Sequence, residues 1–461
     1  MPKQLIAFVA CLMTLFGCWA DAASLAPKPI GQGSQPQQSS PFALPIAKRD
    51  SLLNGLQLIV LEQPGASDVM VHLRINSGGI FDLAGKGGLA DVTAGMLLRG
   101  GGGLSAKNLS DTVEQTGLSL RVTVGWDSTD MSISGPKSEA EGMFDLLSRM
   151  VITPAFDQKE LDAFKAQRLQ ALKQETTDEA ERLKQKAVEG VYGSHPYGRP
   201  LTGTPDSLQQ ITRADLVAFH SRFYLANNAE LLVRGDITAE QVTRLARARL
   251  GMWKKGEIVP PNFRQPERLS APRVFVMDRA DATSSRAVLA LIGVSRRAAD
   301  YFAAVMAVDI FNQLLAQANL GATAKADARV LNGPLTIETS APVGQVAEQI
   351  KGITTVMTRL DAQPPTLEQV EAAKARLIAA MGERLHNPAA TADLMLEIES
   401  YGLGRDYVLR YADRVNAVTP ADIQAAARAL LRPEAMAVAV SGPASQLEGD
   451  AKRLGSVTVI R

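Results

Sequence analysis

Four histidines, His72, His195, His220 and His386, are the side chains best suited to hold a transition metal or carry a proton, and no two lie at metal-ligand spacing. The two cysteines, Cys11 and Cys18, fall near the start, so the rest of the chain offers neither a disulfide nor a thiolate ligand. Ser128 and Ser194 have no base at a spacing that nominates either as a nucleophile. Residues 100–103, all glycine, lack the Lys-Ser/Thr that completes a phosphate cradle and read as a mobile loop.

The most ordered pattern near those glycines is GGLADVTAGMLLRGGGG at 87–103, where apolar Leu89, Val92, Met96 and Leu97 recur at three- and four-residue spacing. This predicts a buried amphipathic helix, opened by Gly87 and Gly88 and ended by the glycine run. Its opposite flank carries Asp91, Ala94 and Gly95, one turn apart.

At 461 residues the chain exceeds one ordinary core. Apolar residues are 46% and charged residues 21%, a globular composition. A net charge of +1, 5% aromatics and no basic run give nucleic acid or anionic lipid nothing to recognise. Lys3, the apolar run at 5–16 and the small residues Ala20, Asp21 and Ala22 have the layout of a secretory signal peptide over 1–23. Cleavage there leaves a soluble periplasmic chain. The alternative, a lipobox at Leu15-Phe16-Gly17-Cys18, leaves a lipid anchor on Cys18.

Residues 24–46, rich in Pro, Gln, Ser and Gly, read as a flexible tether. Strands are predicted at 56–61, 69–75, 118–124 and 129–134, the last two as a hairpin, and at 229–233. Helices are predicted at 105–116, with Ser105 as N-cap, at 158–176 and at 214–223. Residues 253–272, proline-bearing and without periodicity, read as a linker. Beyond it the pattern repeats: Thr212-Arg213-Ala214-Asp215 answers to Thr419-Pro420-Ala421-Asp422, and Gly235 to Gly442, both 207 residues on. Lys165-Ala166 answers to Lys374-Ala375 at 209. The prediction is α+β: two duplicated domains, 47–252 and 273–461, each a mostly antiparallel sheet with helices on one face.

From about Leu52 onward the chain resembles the pitrilysin/insulinase family of zinc metallopeptidases. The likeness rests on the 87–103 frame, on Ser194-His195-Pro196-Tyr197-Gly198-Arg199-Pro200 with Gly203-Thr204, and on Ala214-Asp215-Leu216 through Gly235-Asp236. The resemblance implies paired α+β domains that form half of a clamshell chamber. It also implies a His-x-x-Glu-His helix that holds zinc and activates water. Here Asp91, Ala94 and Gly95 stand at those positions, and no acid occupies the third-ligand region near Gln170 and Ala171. The Arg and Tyr that polarise the substrate carbonyl align with Ala318 and Ala322. The family's edge strand, which pairs with peptide by backbone bonds, aligns with Arg121, Val122, Thr123 and Val124, and His195 is architectural.

The resemblance thus points to a catalytically inactive homologue without metal or other cofactor. It would pair with a zinc-bearing relative and help bind unfolded peptides. A stand-alone peptide-binding scaffold is the alternative, and an active zinc peptidase with other ligands the third reading.

Overall fold

The structure is a computed structural model that describes residues 41–42, 45–175 and 178–460. The expected leader at 1–23, Cys18 with it, and positions 24–40 of the expected tether lie outside the described residues. Among those described, no helix is long and apolar enough to cross a membrane.

Strands β1 (Lys48–Ser51), β2 (Gln57–Glu62) and β3 (Asp68–Ile75) precede the helix Leu89–Leu97, and a short ribbon, β4 (Gly100–Gly101) with β5 (Leu104–Ser105), follows it. β6 (Ser119–Val124) and β7 (Thr129–Pro136) form the predicted hairpin. With β8 (Ala229–Gly235) they complete a six-stranded sheet in the order β1-β2-β8-β3-β7-β6. The second half contributes β9 (Arg273–Asp278), β10 (Ser284–Ile292), β11 (Ala322–Ala326), β12 (Pro334–Pro342), β13 (Ala437–Gly442) and β14 (Ser456–Ile460). They assemble as β11-β12-β10-β13-β9-β14, the same arrangement read from the other end. The outermost strand is the chain's first in one sheet and its last in the other. Neighbours are antiparallel except β2–β8, β9–β13 and β9–β14. The α+β class with duplicated, mostly antiparallel sheets is what the structure shows.

The sequence repeat is two copies of one helix start. The Thr212 hydroxyl caps the helix Arg213–Phe223, while the Asp215 carboxylate accepts the Thr212 N–H at 2.8 Å. Thr419 and Asp422 do the same for Pro420–Leu430, at 2.9 Å. Ser105 accepts the Asn108 N–H and caps its helix as predicted.

Alternation along β3 sends Val69, Val71, Leu73 and Ile75 to the helices of their own half, among them Leu89, Val92 and Met96. Helices on one face account only for that side. On the other, Ile59, Leu61 and Leu232 meet Ala392, Met395 and Leu396 of the helix Pro388–Ser400, which belongs to the second half. In return, the helix Glu179–Tyr192 of the first half lays Leu183, Ala187, Val188 and Val191 on Val288, Ala290, Ala437 and Ala439. The central strands of each sheet are therefore buried on both faces, which explains the unbroken apolar runs in β8, β10 and β13.

Polar side chains stitch the seam between the halves. The Asp127 carboxylate accepts the Tyr197 hydroxyl at 2.7 Å, the Val330 N–H at 2.7 Å and the Tyr401 hydroxyl at 3.2 Å. Two sequence expectations need correction. The glycine run at 100–103 is a pinned turn rather than a mobile loop, because Gly102 donates to the Thr153 carbonyl at 2.9 Å and accepts from Arg149 at 2.7 Å. Phe42, inside the expected tether, is buried against Tyr411, with ring centroids 6.1 Å apart. Residues 253–272 carry no helix or strand and are nonetheless anchored, since Trp253 donates to the Tyr224 carbonyl at 2.9 Å.

Glu230 on β8 is 7% exposed; its carboxylate accepts from Asn76 at 2.9 Å and from Ser400 of the other half at 3.4 Å. Burial pushes its pKa up to about 7, with Arg74 opposing and Glu399 adding to the rise. An acid raised in the fold carries full stability below its unfolded value of 4.5 and loses it as pH climbs to about 7. Glu230→Gln should therefore melt with the native protein at pH 4.5 and above it at pH 8, by on the order of 2–3 kcal/mol. Parallel melting curves across that range would contradict the assignment.

Candidate functional site

The helix Leu89–Leu97 begins where Gly88 takes φ +88°; a Cβ there would lie 2.8 Å from the Thr202 carbonyl, so only glycine fits. Asp82 closes the helix start. Its carboxylate accepts the N–H of Gly88 at 2.6 Å and of Ala90 at 2.7 Å, while burial pushes its pKa up to about 7. Arg199 donates to the Asp82 carbonyl at 3.0 Å, and Ser207 donates to the Gly87 carbonyl at 2.8 Å. Tyr197 of the same loop reaches Asp127 at the seam. The His-Pro-Tyr-Gly-Arg segment thus ties the helix start to the other half, an architectural role.

Leu89, Ala90, Val92, Thr93, Ala94, Met96 and Leu97 are buried. Asp91 and Gly95 face the helix Gln158–Glu175. There Arg168 donates to Asp91 Oδ2 through Nη2 at 2.7 Å and Nε at 2.9 Å. One turn earlier the Phe164 ring covers Gly95 so closely that a Cβ would lie 2.3 Å from its Cζ. Arg99 stacks over that ring, 5.7 Å from its centroid. Ala94, 1% exposed, presents a methyl group.

Zinc needs three or four nitrogen, oxygen or sulfur ligands with an open face for water. Asp91 is the single such group here, and a guanidinium already neutralises it. A side chain at 95 would collide with Phe164. These residues do not fit zinc. Among the described residues, no three His, Cys, Asp or Glu side chains gather as a metal set. The long helix meets Asp91 through Arg168, two positions before Gln170, which is exposed. Sequence reasoning passed over Arg168 and Phe164. Their four-residue spacing, matching that of Asp91 and Gly95, was the available signal.

Ala318 caps the end of the helix Tyr301–Gln317 and is exposed; Ala322 opens β11 and is half-buried. Neither methyl can polarise a carbonyl. Arg121, Val122, Thr123 and Val124 lie on β6, which has β7 as its one strand partner and stands at the edge of its sheet. Arg121 and Thr123 are exposed, Val122 and Val124 half-buried. The equivalent edge of the second sheet, β11, is closed: Asn312 donates to the Ala324 carbonyl at 2.9 Å and accepts its N–H at 2.7 Å. Among the described residues no side chain is hydrogen-bonded in this way to the backbone of β6.

The histidines lie apart, His72 and His195 buried, His220 half-buried and His386 exposed. His72 contacts Asp130 at 2.9 Å and His220 the Val151 carbonyl at 2.8 Å. His195 Nδ1 accepts the Tyr197 N–H at 3.1 Å, and burial, with Arg199 and Arg329 nearby, holds its pKa down to about 4, so the ring is neutral. Ser128 donates to Asp130 at 2.9 Å, and Asp130 also receives Arg74 at 2.7 Å. Burial works against that carboxylate, but His72 and Arg74 outweigh it and hold it below the usual carboxylate range. Ser128 thus donates to a carboxylate held below its usual range, a poor base, with no imidazole between the two as a Ser-His-Asp relay requires.

Residues 58–205 match the family model of insulinase, peptidase family M16, and residues 210–377 match that of the peptidase M16 inactive domain. An uncharacterised zinc protease of Mycobacterium leprae is 22% identical over 244 residues, which cover 52% of this chain and 54% of the relative. The non-peptidase homologue YmxG of Helicobacter pylori is 23% identical over 212 residues, 46% of this chain and 49% of the relative. The chain spans about half the length of these relatives. Among solved structures, a peptidase M16 inactive domain from Pseudomonas fluorescens superposes with a TM-score of 0.77 at 20% identity, covering 86% of this chain and 98% of that one. The periplasmic protease PqqL of Escherichia coli gives 0.73 at 17% identity, over 89% of this chain and 48% of the larger one.

If the guanidinium stands in for the missing cation, Arg168→Met alone should cost about 1–3 kcal/mol, because the half-buried Asp91 carboxylate loses its counter-charge. The double variant D91N/R168M should recover a large part of that loss. Thermal unfolding of the four members of the cycle checks it; additive losses would show that the two side chains are not coupled.

Proposed function

The chain belongs to peptidase family M16, the insulinase family, and from that premise we propose that it is a non-catalytic member that pairs with a separate zinc-bearing relative in the periplasm. The observation that carries this reading is the helix Leu89–Leu97. Its frame and its Asp82 cap are retained, while the face that would hold metal is filled by the Asp91–Arg168 ion pair and by Phe164 on Gly95. The match of 210–377 to the inactive domain supports it.

Size supports the pairing. The superposition covers 48% of PqqL, so a chamber of that size requires as much chain again. In this reading a partner supplies the second half, the zinc and the water-activating Glu. This chain supplies the opposite wall and the β6 edge, Arg121–Val124, where an unfolded peptide adds as a further strand through backbone bonds. The closure of β11 by Asn312 leaves β6 as the edge suited to that role. Export to the periplasm rests on the signal-like residues 1–23, with a lipid anchor at Cys18 as the other form that leader allows.

Co-expression with a relative that carries an intact His-x-x-Glu-His should yield a stable one-to-one complex with more peptidase activity than the relative alone. Failure to associate, with full activity of the relative by itself, would rule the pairing out. A lone chain that elutes as a monomer and still binds peptide would favour the stand-alone scaffold instead.

A further inference from the structure

A cavity of about 900 Å³ opens at the seam between the halves, within the range of small-ligand sites. Five cationic side chains line it, Lys184, Arg296, Lys325, Arg329 and Arg384, against three acids. The acids are engaged: Asp327 by Arg329 at 2.6 Å, Glu397 by Arg384 at 2.6 Å and Glu181 by Lys184 at 3.6 Å. Arg296 and Lys325 have no carboxylate partner among the described residues. Arg296 is 8% exposed; its guanidinium lies 4.3 Å from the Tyr301 ring centroid and donates to the Tyr407 hydroxyl at 2.8 Å. Arg329, also 8% exposed, is sandwiched between Trp126 and Tyr197 at 4.7 and 4.6 Å, and its Nη1 has no hydrogen-bond acceptor.

A buried donor without a partner is costly, and a buried cation without counter-charge more so. Both arginines line one cavity: Arg296 has Glu397 near enough to attract it but no ion pair with it, and the unpartnered Nη1 of Arg329 lies just beneath the wall. We propose that this cavity binds a carboxylate, set against Arg296 and Arg329 with the exposed Lys325 at its entrance. A single negative charge suits it better than a phosphate dianion, because Glu181, Asp327 and Glu397 remain in the wall and repel added negative charge. Lys325 and Ala326 bring the end of β11 to the cavity, but Asn312 already holds Ala324, so the ligand is gripped by its charged end and not as an added strand. The carboxylate has two sources, the C-terminus of a peptide or a small free acid. The peptide source rests on the peptide-holding role proposed above; the charge preference of the cavity does not.

The test is calorimetric titration of the full chain with an N-acetylated alanine pentapeptide as free acid, the same peptide as C-terminal amide, and propionate. The free acid should bind roughly tenfold or more tightly than the amide, the lower end of what a charge-assisted hydrogen bond contributes. Lys325→Glu should remove that preference without moving the melting temperature, since the side chain is exposed. Propionate bound by the native chain and lost in Lys325→Glu, with neither peptide bound, would identify a small-acid site and count against the peptide role alone. Acid and amide bound equally, in both proteins and with no propionate uptake, would overturn the cavity proposal and leave peptide holding at β6 intact. No binding of any probe would overturn it as well.

Discussion

The contact between Asp91 and Arg168 governs how this molecule is to be understood. A carboxylate on the central helix is largely withdrawn from water, and a charge in that position must be matched close by. Where the family pattern that this chain resembles places a histidine, this chain has a carboxylate, matched by a guanidinium from the neighbouring helix. The substitution is also steric. Phe164, one turn before Arg168, occupies the volume above Gly95, where even a Cβ would collide with its ring. Loss of ligands and filling of the space they would need are one packing solution.

That local change sits inside a frame that is fully maintained. Asp82 caps the helix, Arg199 steadies Asp82, and Tyr197 carries the connection to Asp127 and so to the second half. The exchange of the helices Glu179–Tyr192 and Pro388–Ser400 makes each half the cover of the other's sheet. The geometry of these supports is what the wall role proposed above requires.

Much of the fold was legible in the sequence because its signals are local. The β3 alternation, the Ser105 cap and the Thr-x-x-Asp boxes at 212 and 419 each fix an element through neighbours a few residues away. The repeat followed from the same boxes. What the sequence hid is long-range. Nothing in the period of the helix 179–192 says which sheet it covers, and nothing in Asn312 says that its amide faces a strand edge. The degenerate positions Asp91, Ala94 and Gly95 were visible through resemblance, whereas Arg168 and Phe164 share their four-residue spacing, but nothing local says that two helices 77 residues apart in the chain face each other. The glycine run misled for a related reason: its rigidity comes from Thr153 and Arg149, some fifty residues away in the chain.

The most direct test of the central claim is the metal content of the intact purified chain. The protein is equilibrated with zinc, dialysed free of excess and then analysed, with its melting temperature read before and after chelation. The account predicts zinc far below one ion per chain and a melting temperature that chelator does not move. One tightly held zinc per chain, lost together with stability on chelation and abolished by Asp91→Ala, would contradict it.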